Sequence, residues 1–480
     1  MAVPPSASGA SVVTTGSSSR VVLRLALPTV FAMLAQSAVN EVDIIFLSRL
    51  PCPESSNAQA ALLPSLILLW MFGGSLSAIS VGTQAIVARR FAERRHLDAG
   101  AVLANSWLFS SLAGIVFTAA GYLVMPYVLD LLIRVPEVRE SARAYLSWRL
   151  LGIVSMAVSF SFKAFFDGIG KTHVHMVASI AMNVANVLLC IALIFGYWGA
   201  PRMGIAGAGL AAFISSWIGL GILVLWATLP RYRIPHRPFA LSRLSRALTG
   251  DILRLSVPSA VATIAVMSGF ALFSMIVSRL DAMSQAAMVV STTCPGGRAE
   301  AVNSAATMLI VGVLKLTFTA CLAFGTATAT LVSQSLGENK PERAEHFGWV
   351  SVRLGLIIFG VVGLLEGVLF TRPLLTLVTQ SPAVLEAALG PMRLMGVCTP
   401  LIAVGMILTQ ALFGAGNTRF VMVVELVLHF VCLVPLAWLL GITLGFGLGG
   451  IWAAATLYVV LLTAVMVWKF RSGDWKSIRI

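Results

Sequence analysis

Apolar residues fill this chain in long runs broken by short polar punctuation. The runs fall near residues 25–48, 61–88, 101–125, 144–166, 174–198, 205–229, 255–279, 304–334, 348–370, 391–413, 420–441 and 448–469. Each is close to the roughly 20 residues that a helix needs to cross about 30 Å of hydrocarbon. The short alternating segments of a membrane barrel are absent, and in lipid each span has to satisfy its own backbone hydrogen bonds. The pattern therefore predicts an all-α integral membrane protein with twelve transmembrane helices.

Composition agrees with the pattern. Hydrophobic residues make up 58% of the chain, charged residues only 11%, and the mean hydropathy is +0.92. A net charge of +14 raises the question of nucleic acid, which the distribution of that charge answers. If the chain starts inside and alternates, most Lys and Arg fall on the cytoplasmic segments: Arg20 and Arg24, the RRFAERR run, RYRIPHRPFALSRLSR from Arg231 to Arg246, and the KFRSGDWKSIRI tail. This is the positive-inside bias, with both termini cytoplasmic and the basic surface meeting anionic lipid rather than nucleic acid. Residues 1–19 carry no charged side chain and are rich in Ser, Thr, Gly and Pro, as a disordered tail would be. The expected location is a cell membrane, inner or plasma, crossed many times.

The stretch FFDGIGKT, Phe165 to Thr172, ends like a phosphate-binding loop but has Phe165 where such a loop needs its first glycine, and it follows an apolar helical run rather than a strand. An internal repeat explains its glycines better. RLALP at Arg24–Pro28 matches RLSVP at Arg254–Pro258, and FLSRL at Phe46–Leu50 matches IVSRL at Ile276–Leu280, both at an offset of 230. FFDGIGKT matches ALFGAGNT at 411–418 at an offset of 246; GIAGAGLAA at 204–212 echoes GLGGIWAAA at 447–455, and Arg149/Gly152 echo Arg393/Gly396. The chain thus reads as a tail (1–19), an N-lobe of six helices (20–230), a basic cytoplasmic linker (231–253), a C-lobe of six helices (254–470) and a second tail (471–480). An even helix count makes the two lobes parallel, related by an axis along the membrane normal. The paired glycines mark the tight turn between the fourth and fifth helix of each lobe.

With VDIIFLSRL closing the first span, FFDGIGKT and QALFGAGNT in the paired turns, NVANVLLCIALIFG in the fifth span and GIAGAGLAAFIS in the sixth, the chain resembles the multidrug and toxic compound extrusion (MATE) transporters over about residues 20–470. The resemblance implies two six-helix lobes that export organic, often cationic, compounds in exchange for H⁺ or Na⁺, with no further cofactor. Small organic substrates and membrane lipids are then the partners, and a monomer is expected.

Polar residues inside the spans are costly in lipid and usually line a cavity. Gln36, Asn40 and Asp43 stand at i, i+4 and i+7 on one face of the first span; Ser179, Asn183, Asn186 and Cys190 form a second stripe on the fifth. Two stripes in one lobe suggest a shared pocket, with interhelical hydrogen bonding as the structural alternative. The resemblance maps a cation-coupling site onto Asp43, Asn186 and the neighbouring Asn183. Where the family often has an aspartate this chain has Cys190, and where a threonine is common it has Ala212, with Ser215 and Ser216 near. Fewer oxygen donors favour a proton over sodium. In the C-lobe, Val266, Phe270 and Phe273 occupy the positions of Gln36, Asn40 and Asp43, so that stripe is lost. Glu425 and His429 in the eleventh span are a local i,i+4 pair or a second proton site. Lys163, Lys315 and Glu366 are read as snorkelling or structural.

His173 and His175, placed in a cytoplasmic turn without Cys or carboxylate at metal spacing, do not make a metal site. Cys52 and Cys294 fall on outer loops and could form a disulfide, and the other four cysteines are expected to be buried. Three functions remain: an antiporter, a flippase for a lipid-linked or other polar metabolite, and an intramembrane transferase. The loops hold no His/Asp or Ser/His constellation of the kind an enzyme needs.

Overall fold

The computed structural model describes residues 18–51, 72–133, 136–288, 302–377 and 382–480, with isolated positions between 54 and 69. The tail at 1–17 and both Cys52 and Cys294 lie outside the described residues. So do the side chains of Gln36, Asn40, Glu41 and Asp43, although the helix backbone that carries them is described. The described residues are mostly helical, with no strand among them.

Twelve long elements follow one another: α1 (Ser18–Ser48), α2 (Ile79–Ala92), α3 (His96–Leu132), α4 (Pro136–Gly168), α5 (Thr172–Phe195), α6 (Gly204–Thr228), α7 (Arg246–Met288), α8 (Val302–Gly337), α9 (Pro341–Leu364), α10 (Pro382–Ala415), α11 (from Thr418–Val427 on to Thr443) and α12 (Gly447–Ser472). All but α2 are long and apolar enough to cross a membrane. The second span is not one continuous helix, because a 3₁₀ turn at Gly74–Ala78 leads into α2.

The turns carry the duplication. After α4, Gly170 at φ 74° sends its N–H to Asp167 O (3.0 Å) and Lys171 N–H reaches Phe166 O (2.8 Å). After α10, Gly416 at φ 88° and Asn417 make the same two bonds to Phe413 O (3.0 Å) and Leu412 O (2.9 Å). This paired closure of the last helical turn needs a left-handed residue, which glycine supplies without strain. The GKT letters are thus a helix stop. The α2–α3 and α8–α9 turns form a second matched pair, with Arg94 (φ 61°) and Asn339 (φ 57°) left-handed and bonded back to Phe91 O and Leu336 O at 3.0 Å each.

Apolar side chains gather in clusters that belong mainly to one half or the other. Leu47, Leu129, Tyr145, Ile153 and Ile194 pack in the N-half, and Phe273, Ile310, Met392 and Trp452 in the C-half. Two clusters cross over. Val22 and Leu25 of α1 sit in a C-half cluster with Phe347, Leu412 and Phe470, while Ile252 and Leu255 of α7, 230 positions later, sit in an N-half cluster with Ile86, Leu103 and Phe165. Each half lends the first turns of its first helix to the other.

The crossing occurs at the end of the molecule that carries the basic turns and the linker, and a polar seam reinforces it. Gln84 Nε2 donates to Thr330 Oγ1 (2.8 Å) and Thr326 O (3.0 Å), and Thr330 Oγ1 donates on to Asp167 O (3.1 Å). Gln334 Nε2 reaches Gly168 O (2.7 Å), Ser333 Oγ reaches Ala85 O (2.7 Å), and Arg89 reaches Ile478 O (2.7 Å) and Ala415 O (3.4 Å). Gly337 lets the backbones meet here, because a Cβ on it would lie 2.5 Å from Arg89 O. At the opposite end the ion pairs Arg202–Glu54 (2.8 Å), Arg139–Asp130 (2.9 Å) and Arg372–Glu386 (3.4 Å) each stay within one half.

Candidate transport cavity

Inside the N-half, α4, α5 and α6 meet the 3₁₀ turn before α2 around a cavity of about 200 Å³. The stripe expected on α5 turns toward it: Ser179, Asn183 and Asn186 all line the wall. Asn186 is buried, with Nδ2 donating to Ser215 Oγ at 3.4 Å, so Ser215 supplies an oxygen in the neighbourhood where Ala212 does not. Cys190, fully buried, stands one turn behind, its thiol 3.8 Å from Asn186 Oδ1 and its sulfur within the apolar cluster rather than on the wall. Asn183 has no partner among the described residues at either end of its amide. A buried amide without partners is costly, and such groups in a cavity wall are poised for a ligand.

The opposite wall is α4, a face that the sequence pattern alone does not assign to the cavity. Gly152, Met156, Ser159 and Lys163 all face the cavity. Their spacing, i, i+4, i+7 and i+11, is that of the α5 stripe, so the signal was available. Lys163 does not snorkel to an interface; it lines the cavity and makes no ion pair among the described residues, although Asp167 lies one turn further along the same helix. Asp167 is 1% exposed with neither carboxylate oxygen hydrogen-bonded. His175 is not in a turn. It lies in the first turns of α5, buried, on the cavity wall, with Nδ1 unpaired. Arg149 completes the basic lining, and Met156, Phe160, Met182 and Phe213 supply the apolar remainder.

In the C-half, Glu425 and His429 are both buried. Their side chains meet at 3.3 Å (Nδ1 to Oε2), and His429 Nδ1 is also 2.9 Å from Glu425 O. Tyr458 of α12, which the sequence reading missed, donates to Glu425 Oε2 at 2.9 Å and packs its ring 4.6 Å from that of His429. Glu366 is buried and accepts a hydrogen bond from Thr317. Neither pair lines the N-half cavity. Cys190, Cys321 and Cys398 are buried, but Cys432 is only half-buried, on a face of α11 that is not fully packed. Among the described residues no three His, Cys, Asp or Glu side chains gather as a metal site.

A helical membrane protein of two like halves, sealed together at one end and holding a polar cavity inside one half, has the architecture of a secondary transporter. The MatE family matches residues 28–192 and 297–439, and the chain belongs to that family. It is 24% identical over 468 residues to a probable multidrug resistance protein NorM of Thermotoga maritima, covering 95% of this chain and 92% of the relative. It is 25% identical over 448 residues to the uncharacterized transporter YisQ of Bacillus subtilis, covering 91% and 90%. A solved multidrug resistance MATE family transporter in an outward-facing conformation superposes with a TM-score of 0.83 at 21% identity, over 97% of this chain and 98% of that one. The chain is a multi-pass membrane transporter rather than an enzyme, with a fold of twelve transmembrane helices in two lobes.

Proposed function

We propose that the chain exports small organic molecules by alternating access between two lobes, residues 20–230 and 254–470, in exchange for H⁺ or Na⁺. The observation that carries this reading is the asymmetry of the seam: among the described residues the lobe-to-lobe hydrogen bonds gather at the basic end, and the ion pairs of the opposite end stay within one lobe. With the basic end cytoplasmic, this is the outward-facing state, and the N-half cavity is where substrate would be released. Asp43 on α1 is the coupling carboxylate in this reading, with Asn183 and Asn186 as its neutral neighbours and Glu425–His429 as a second titrating pair. The thiol of Cys190 and the methyl of Ala212 leave few oxygen donors for sodium, which supports a proton.

The test is transport in proteoliposomes under an imposed proton or sodium gradient. Gradient-driven efflux should be present in the parent and lost in Asp43→Asn, which mimics a protonated carboxyl. Undiminished coupling in that variant would remove Asp43 from the mechanism. Movement of a lipid-linked compound without any gradient would instead establish a flippase.

A further inference from the structure

We propose that the N-half cavity selects an organic anion, an aromatic or otherwise apolar body carrying one carboxylate or sulfonate, rather than the organic cation that the family resemblance implies. The inference rests on the exporter reading above and concerns the charge of what is exported. Among the described wall residues the ionisable side chains are Arg149, Lys163 and His175, and none is a carboxylate. Lys163 is the decisive one. It reaches the cavity from α4 and makes no ion pair among the described residues, although a carboxylate stands one turn away on the same helix. Asp167 does not neutralise it by contact; that carboxylate is enclosed in the protein with both oxygens unpaired.

An ammonium held on a half-apolar wall in this way repels a cation and lacks only an acceptor. Two further polar groups line the same space without a partner among the described residues, the amide of Asn183 and Nδ1 of His175, which donates in one of its two neutral tautomers. Ser159 and Ser179 add hydroxyls on the facing helices. A carboxylate or sulfonate offers several acceptor lone pairs to such a set, and charge-assisted bonds of this kind are stronger than neutral ones. The rest of the wall, with Phe160, Phe213, Met156 and Met182, suits a flat apolar body, and about 200 Å³ admits one of two fused rings.

The experiment compares two fluorescent probes of similar size and opposite charge, naphthalene-2-sulfonate and N-methylquinolinium, in proteoliposomes of the full chain under an imposed gradient. The expected result is transport of the sulfonate at an efficiency at least about tenfold above that of the cation, since one charge-assisted bond is worth at least that factor. Lys163→Gln should lose this preference, and Lys163→Arg should restore it, which a merely structural lysine on that wall would not do. Thermal unfolding of both variants in detergent separates loss of binding from loss of fold. Transport of the quinolinium alone, indifferent to Lys163→Gln, would overturn the anion proposal and leave the exporter standing. Transport of neither probe, nor of any dye, under either gradient would overturn both.

Discussion

At the scale of single residues, the buried triad in the C-half shows what a linear reading reaches. Glu425 and His429 were legible because four residues on a helix bring two side chains together. Tyr458, 33 positions later, was not, since only the packing of α12 against α11 delivers it. Its hydroxyl satisfies one oxygen of a carboxylate in a water-poor setting. Tyr458→Phe should therefore destabilise the protein by about 1–3 kcal/mol, the cost of leaving a buried acceptor short of a donor, measurable as earlier thermal unfolding in detergent. Lys163 teaches the converse lesson: its stripe with Gly152, Met156 and Ser159 was in the sequence, but periodicity names a face and not what the face meets. For Gln36, Asn40 and Asp43 the helix is in place, and their role stays with the Asp43→Asn assay above.

At the scale of elements, hydropathy placed the spans but not their irregularities. α11 was expected to run evenly over 420–441, yet it contains π turns at Leu428–Leu433 and Leu439–Thr443 around a short α segment. Pro435 has no N–H to donate to the preceding turn, and wider turns beside it accommodate the missing bond. The linker's composition likewise indicates only a basic surface. The linker docks against the N-half instead: a short helix at Pro230–His236 buries His236 against the rings of Phe165 (5.3 Å) and His96 (5.5 Å). Asn105 holds the next stretch by accepting from Ser245 N–H at 2.9 Å and donating to Arg243 O at 3.3 Å. Burial pushes the His236 pKa down to about 4, against a raising hydrogen bond to Tyr232 O and with a further lowering by His96. The folded state thus prefers the neutral ring, so its contribution is full above the ordinary pKa near 6.5 and is lost as pH falls through about 4. Acidification across that window should cost roughly 3 kcal/mol at this site, and His236→Phe should flatten that part of the stability curve, as read by thermal unfolding against pH.

At the scale of the whole molecule, the duplication was legible from five short matches, and the matched left-handed turns at Gly170 and Gly416 are its structural counterpart. The seam was not legible, because it joins positions such as Gln84 and Thr330 that no local pattern relates. Gly337 is the point to test. A side chain there would have to displace Arg89 O, so Gly337→Val should wedge the basic end apart and shift the population away from the sealed state. Spin labels at Arg90 and Lys340 should report a longer distance in that variant, together with slower gradient-driven transport. An unchanged distance would mean that the seam yields elsewhere.

The exchange of first turns between the halves also bears on biosynthesis. When the ribosome has released only the N-half, the groove beside Ile86 and Leu103 still waits for Ile252 and Leu255, which arrive with α7. The first turns of α1 wait longer, until Phe347, Leu412 and Phe470 have been made. The earliest helix to enter the membrane is thus among the last to find its complete set of neighbours. Two fragments divided before α7 and produced together should recover a working pair, because each carries the piece the other lacks, whereas the N-half made by itself should be recognised as unfinished and degraded.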